Sequence, residues 1–268
     1  MIHPSQEPRS VEQLLLAARD PTCPPDSEEY WAATWALQFR LDPGLLRQLR
    51  HLACSRDPRE RQFVADVLAQ GYLGDKRLYD ECTRTLLEML RGEEAPSVII
   101  AIGNAFGHLR AATAVEPLAQ LSRHPEAAVR LAIVHGLLSQ ESPLAIETLI
   151  ELSVDQDRDV RNWATFGLGS QANADSGAIR DALLARLSDI DDEISGEAIV
   201  GLAKRGDTRV VQPLLDAIQS ILQDPNLEFG SLIIEAADLA REAAAKSSDQ
   251  GWQPLIRKLD ELGLDTPA

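Results

Sequence analysis

Apolar residues recur along this chain at the spacing of one helix face. In the stretch 160–169, Val160, Ala164, Gly167 and Leu168 stand at i, i+4, i+7 and i+8, a single stripe of an amphipathic helix. The frame returns at Val129, which leads to Gly136 and Leu137, at Val98, which leads to Ala105 and Phe106, and at Ile194, which leads to Gly201 and Leu202. In each, a small residue stands seven positions after the apolar start and an apolar one follows it. The starts lie 31, 31 and 34 residues apart. Leu87, Leu118, Leu149 and Leu183 each precede their marker by 11 residues, so every second helix brings a first helix with it. A near-constant step with a constant internal offset predicts an all-α solenoid, a superhelix of antiparallel helix pairs.

The ends of the array are also marked. Residues 1–9 carry two prolines and no apolar period, which predicts a disordered tail; residues 10–268 are expected to form one solenoid. Ser10 and Gln13 have the spacing of a capping box ahead of Val11, Leu14 and Leu15. Ser27 is expected to cap a helix holding Tyr30, Trp31, Trp35 and Phe39, so that residues 10–42 form an aromatic N-terminal cap over the first repeat. The first full repeat pairs residues 43–53 with 59–70 across the Asp57-Pro58 turn. Pro117 and Pro213 fit only in the first turn of a helix. Asp224-Pro225-Asn226 lengthens a late turn, a helix follows over 232–244, and residues 252–262 predict a C-terminal cap helix. Gly136, Gly167 and Gly201 mark close helix approach, and Trp163 is expected in the core.

Three stretches carry a family resemblance: Asp155 to Gly169, Pro125 to Leu138, and Leu202-Ala-Lys-Arg-Gly-Asp-Thr-Arg209 running into Pro213-Leu214. They resemble HEAT repeats, in the short bacterial form also called phycobilisome-lyase-type HEAT-like repeats, over about residues 43–262. The family pairs an inter-helix Asp with an Arg six residues on. Asp155 and Arg161 fit that rule; Ser55 with Arg61 and His124 with Arg130 keep only the Arg, and Asp189 with Ser195 keeps only the Asp. The resemblance implies helical hairpins whose second helices line a concave groove. It does not imply one function, because a fold of this kind carries many.

Charge narrows the partners. The chain has 26 Lys and Arg against 42 Asp and Glu, a net charge of −16, which argues against a nucleic-acid surface and allows steering of a basic partner. Its three cysteines, Cys23, Cys54 and Cys82, have no metal-binding spacing and read as reduced thiols of a cytoplasmic protein. The N-terminus has no apolar leader core, and no run of about 18 apolar residues occurs, so neither a signal peptide nor a membrane span is expected.

Chemistry finds little to hold. Asp155-Gln-Asp157-Arg-Asp159 begins like a calcium loop, but Val160 stands where the turn glycine belongs and Phe166 where the bidentate glutamate belongs. None of the five histidines is followed by Glu, which departs from the His-Glu pairs that HEAT-like deoxyhypusine hydroxylases use for iron. No catalytic residue, cofactor or metal is therefore expected. With Val160 to Leu168 buried, Asn162, Thr165 and Phe166 point outward at ~100° per residue. Their equivalents on neighbouring second helices extend the stripe, giving an expected partner-binding groove of Ile100, Asn104, Leu131, His135, Asn162 and Phe166. Asp155, Asp157, Asp159, Asp191, Asp192 and Glu193 are expected to form its acidic rim. The reading is a non-enzymatic scaffold for a protein or peptide, with a basic one favoured. Its rivals are an accessory lyase or other enzyme acting on a protein-bound group, and an immunity-type protein that neutralises a basic partner.

Overall fold

The computed structural model describes residues 7–20, 22–25, 27–73, 75–224 and 229–262. Among the described residues there is helix and no strand, the all-α solenoid that the apolar period predicts. The chain divides into two compact units, Met1–Leu137 and Leu138–Ala268.

The first unit runs α1 (Val11–Arg19), α2 (Glu28–Phe39), α3 (Pro43–Leu52), α4 (Pro58–Leu68), α5 (Tyr79–Leu90), α6 (Pro96–Leu109), α7 (Val115–Ala119) and α8 (Ala127–Leu137). Ser10 and Gln13 form the predicted capping box, and Ser27, Asp42 and Asp57 cap α2, α3 and α4. Pro43, Pro58 and Pro117 all stand in first turns, where a missing N–H costs no helical bond. The pairs α3/α4, α5/α6 and α7/α8 are hairpins, and the second helices α4, α6 and α8 stack on one another. Phe63 and Phe106 are fully buried in this stack, each worth about 1.5–3 kcal/mol of transfer from water.

The aromatic segment at the N-terminus splits in two. Tyr30 is buried, edge-on to Phe63 with ring centroids 5.8 Å apart, and its hydroxyl donates to Asp66 Oδ2 at 2.6 Å. Trp35 and Phe39 stay exposed at 42% and 38%. Residues 1–6 of the expected tail lie outside the described residues. Residues 7–9 are tied down: Arg40 Nη1 donates to the Arg9 carbonyl at 2.6 Å and Nη2 to that of Glu7.

The second unit runs α9 (Pro143–Leu152), α10 (Arg158–Phe166), α11 (Gly177–Arg186), α12 (Asp192–Lys204), α13 (Val211–Gln223), α14 (Gly230–Lys246) and α15 (Gln253–Glu261). Here α10, α12 and α14 stack as second helices, and α15 packs on α13 and α14 with Trp252, Leu255 and Leu259 buried. Of the expected Asp224-Pro225-Asn226 turn, the last two residues lie outside the described residues. The stretch Val160–Gly169 is not one continuous α-helix. It widens to a π turn over Gly167–Gln171, with Ala172 N–H donating to the Gly167 carbonyl at 2.9 Å. At this turn the neighbour is close: a Cβ on Gly201 would stand 2.5 Å from Gly169 Cα, so the two backbones touch. The carbonyls that the widened turn frees are met by α12 and the residue after it. Arg205 donates to Leu168, Gly169, Ala172 and Ala174 at 2.7–3.1 Å, and Lys204 Nζ to Ser170 at 2.9 Å.

The arginines explain the patchy Asp-Arg pattern. Arg61, Arg130 and Arg161 each reach back six residues, but to a backbone carbonyl, of Ser55, His124 and Asp155, at 2.8–2.9 Å. Any residue supplies that carbonyl, and the side chains of Ser55, His124 and Asp155 share a second task, each accepting from the N–H two residues on at 2.8–3.2 Å. Arg61 and Arg161 then turn to the next repeat. Arg61 pairs with Glu93 at 2.7 Å and Arg161 with Asp189 at 2.8 Å, each through two parallel N–H donors. Asp189, which has Ser195 and not an Arg six residues on, takes the arginine of the repeat before and adds Arg186 at 3.2 Å.

Arg205→Ala orphans several carbonyls at once and is expected to destabilise the chain by about 2–3 kcal/mol in a urea melt. Asp66 gives a pH signature. Burial pushes its carboxyl up to about 6, against the opposing donation from Tyr30 and Gln62. The folded state then takes up its proton before the unfolded one does, so this group stabilises the fold as pH falls below about 6 and stops doing so above it. Asp66→Asn, which mimics the protonated acid, should raise the melting temperature above pH ~7, by at most about 3 kcal/mol of stability, and bring no gain near pH 4.

Candidate functional site

The first unit holds four of the expected groove residues. Ile100 and Asn104 lie on α6, Leu131 and His135 on α8, one helical turn apart on each. The structure brings the two polar ones together: His135 Nδ1 stands 3.0 Å from Asn104 Oδ1. Ile100 and Leu131 are half-buried and Asn104 is exposed. Burial lowers the pKa of His135, which keeps its imidazole neutral at neutral pH. The two helices come this close because α6 carries glycine at the crossing. A Cβ on Gly107 would stand 2.8 Å from the His135 carbonyl, and one on Gly103 2.8 Å from that of Ala132.

The second unit holds Asn162 and Phe166, both on α10. Only Phe166 reaches the surface, half-buried. Asn162 is 8% exposed, with Oδ1 buried and unbonded, and Thr165 is fully buried with its hydroxyl donating to the Arg161 carbonyl at 2.8 Å. Their outward direction is therefore corrected: α12 packs on α10 and covers more than the Val160 stripe. Trp163 is the opposite correction. It is 40% exposed and not in the core, and its ring meets Phe166 edge-on with centroids 5.5 Å apart. An exposed tryptophan backed by a second ring offers rigid apolar area at the surface.

The expected acidic rim is largely occupied. Asp157 caps α10 by accepting from the N–H groups of Asp159 and Val160, and Asp191 caps α12 from those of Glu193 and Ile194. Arg158 binds Asp191 at 2.8 Å, Glu193 at 2.5 Å and Asp159 at 3.1 Å. Asp155 accepts from the Asp157 N–H at 2.8 Å, and Asp192 is exposed in the first turn of α12. Beside this cluster lies a cleft of about 510 Å³, lined by Arg158, Asp191, Asp192, Glu193, Glu197, Phe229, Ser231 and Leu232. Glu197, which the sequence reading passed over, is 8% exposed; its Oε2 accepts from the Ser170 hydroxyl at 2.8 Å, and burial raises its pKa. The signal was there: it is the one charged residue in the apolar run from Ile194 to Ala203. Among the described residues, no group of three or more His, Cys, Asp or Glu side chains could hold a metal ion. No described helix is long and apolar enough to cross a membrane.

Residues 83–169 and 146–224 match the profile of HEAT repeats, together more than half of the chain. The chain belongs to the HEAT-repeat family. Protein YibA of Escherichia coli K12 is 33% identical to this HEAT-repeat chain over 140 residues, 52% of this chain and 46% of that protein, and the YibA of strain O157:H7 matches equally. The matched HEAT-repeat stretch thus spans about half the length of the curated relatives. The X-ray structure of E. coli YibA superposes with a TM-score of 0.70 at 22% identity, covering 94% of this chain and 93% of that one. The crystal structure of an engineered protein follows at a TM-score of 0.50 and 18% identity, over 91% of this chain and 76% of its own. At these identities the likeness is one of fold.

Because Trp163 is a surface residue of this HEAT-repeat array, Trp163→Ala is expected to cost under about 1.5 kcal/mol in a urea melt, against the about 3–5 kcal/mol of a buried tryptophan.

Proposed function

We propose that this HEAT-repeat chain is a non-enzymatic scaffold that binds a protein or peptide on the exposed positions of its second helices. The observation that carries the reading is the Trp163–Phe166 pair, two aromatic rings in edge-to-face contact on α10 with the tryptophan 40% exposed. Tryptophan at a surface is the residue type that most often dominates a protein interface, because truncating it removes a large dry contact. Ile100 and Leu131, with the Asn104–His135 pair beside them, give the first unit a smaller face of the same kind. The net charge of −16 favours a basic partner and speeds its encounter; it disfavours nucleic acid.

The test is quantitative affinity capture from native lysate, read by mass spectrometry. The Trp163→Ala/Phe166→Ala double variant is expected to lose the partners that the wild-type chain enriches, with its thermal melt nearly unchanged. Retention of every partner by that variant overturns α10 as the contact helix. Loss of the same partners in Trp35→Ala instead moves the contact to the exposed face of α2.

A further inference from the structure

Three buried carboxylates in this protein are matched with arginines. The side chains of Glu93, Asp189 and Asp207 are each 5% exposed, and each meets an Arg: Arg61 at 2.7 Å, Arg161 at 2.8 Å and Arg209 at 2.6 Å. Asp66, buried against Tyr30 and Gln62, departs from this pattern, and so does Glu197. Glu197 is as deeply placed, yet no Lys or Arg among the described residues pairs with it, and its one hydrogen bond is the neutral hydroxyl of Ser170. Arg158, the guanidinium lining the same cleft, is held by Asp191 and Glu193. The carboxylates around Glu197 add to its burden: Glu193 on its own helix and Glu235 on α14 both push its pKa further in the direction that burial pushes it, upward. A buried acid with acids around it and no cation lacks the partner that offsets its desolvation.

The cleft supplies the rest of a recognition site. Leu232 and Phe229 give it an apolar wall, and both lie over Gly196, where a Cβ would stand 3.0 Å from Leu232 Cδ1 and 3.8 Å from Phe229 Cβ. Its charged lining is four carboxylates against one guanidinium. We propose that this cleft receives a lysine side chain from an extended basic segment of a partner protein, the aliphatic stem along Leu232 and Phe229 and the ammonium at Glu197. Lysine fits better than arginine. Glu197 Oε2 already accepts from Ser170, so a point-like ammonium can use the other oxygen alone, whereas a forked guanidinium would have to share Oε2 with that hydroxyl. A four-carbon stem also suits an apolar wall that ends in a charge. The proposal rests on the scaffold reading for the source of its ligand, and it locates in the second unit the charge complementarity that the net charge only implies.

The experiment uses the full chain and fluorescein-labelled octapeptides of alternating Lys-Ala, the same peptide with its lysines ε-acetylated, and alternating Arg-Ala, followed by fluorescence anisotropy at physiological salt. The lysine peptide is expected to bind about fivefold or more tighter than the arginine peptide, and the acetylated one not to bind. Glu197→Gln should weaken lysine-peptide binding by about tenfold or more, whereas Asp192→Asn, an exposed acid of the same cleft, should change it by less than about threefold. Leu232→Lys offers the site an ammonium from within and should also abolish binding, which keeps the test decisive if Glu197→Gln melts early. Wild-type affinity in both Glu197→Gln and Leu232→Lys overturns the site. Equal binding of lysine and arginine peptides, lost equally in Asp192→Asn and Glu197→Gln, overturns it in favour of a diffuse acidic surface. Binding of N-acetyl-lysine methylamide as tight as that of the peptide overturns the partner segment and leaves a small-amine site. The two readings fail separately: a chain that captures partners from lysate but ignores the lysine peptide loses only this cleft, and one that binds the peptide but captures no protein loses the scaffold.

Discussion

In two places, α6 against α8 and the turn after α10 against α12, the backbones meet with no side chain between them. Gly103 and Gly107 of α6 lie against the carbonyls of Ala132 and His135 in α8, and Gly169 lies against Gly201 and the Glu197 carbonyl in α12. These contacts are nearer than any Cβ tolerates, so they set how the helices stack. Much else follows from the approach. It brings Asn104 within hydrogen-bonding reach of His135, and where the turn after α10 meets α12 the helix widens and Lys204 and Arg205 donate to its carbonyls. Not every glycine in the repeat serves this end. Gly136 faces the Gly103 carbonyl, but Gly167 meets only the side chains of Leu138 and Leu149, which can move.

Several acids of the chain work in its turns. Asp42, Asp57, Asp157 and Asp191 cap helices, where a carboxylate both satisfies free N–H groups and lies at the positive end of the helix dipole. Glu93 and Asp189 receive the arginine of the preceding repeat and so link one hairpin to the next. A half-buried bidentate pair of this kind contributes more than a solvated one and fixes register, because the planar guanidinium accepts few geometries. Against this background Glu197 is an exception: it is buried beside a cleft, and no Lys or Arg among the described residues pairs with it.

Much of this was legible in the chain itself. A step of 31–34 residues with a constant 11-residue offset determines a helical array, because the apolar period is local and each hairpin needs only its neighbours. The caps at Ser10 and Ser27, the Asp57-Pro58 turn and the first-turn prolines are local for the same reason: their partners lie within a few residues. What the tertiary structure decided is what depends on a neighbour's shape. The sequence predicts Asn162 outside and Trp163 inside, yet the amide is buried and the indole is exposed, because the edge of the stripe depends on how much of α10 its neighbours cover. The reach of Arg161 to Asp189, the π turn at Gly167, and the buried carboxylate of Glu197 beside Leu232 all join residues 28 or more apart or arise from such contacts. A periodic pattern specifies which residues face inward along one helix; it does not specify how close the next helix comes, and that distance determines which polar groups are left to meet a partner.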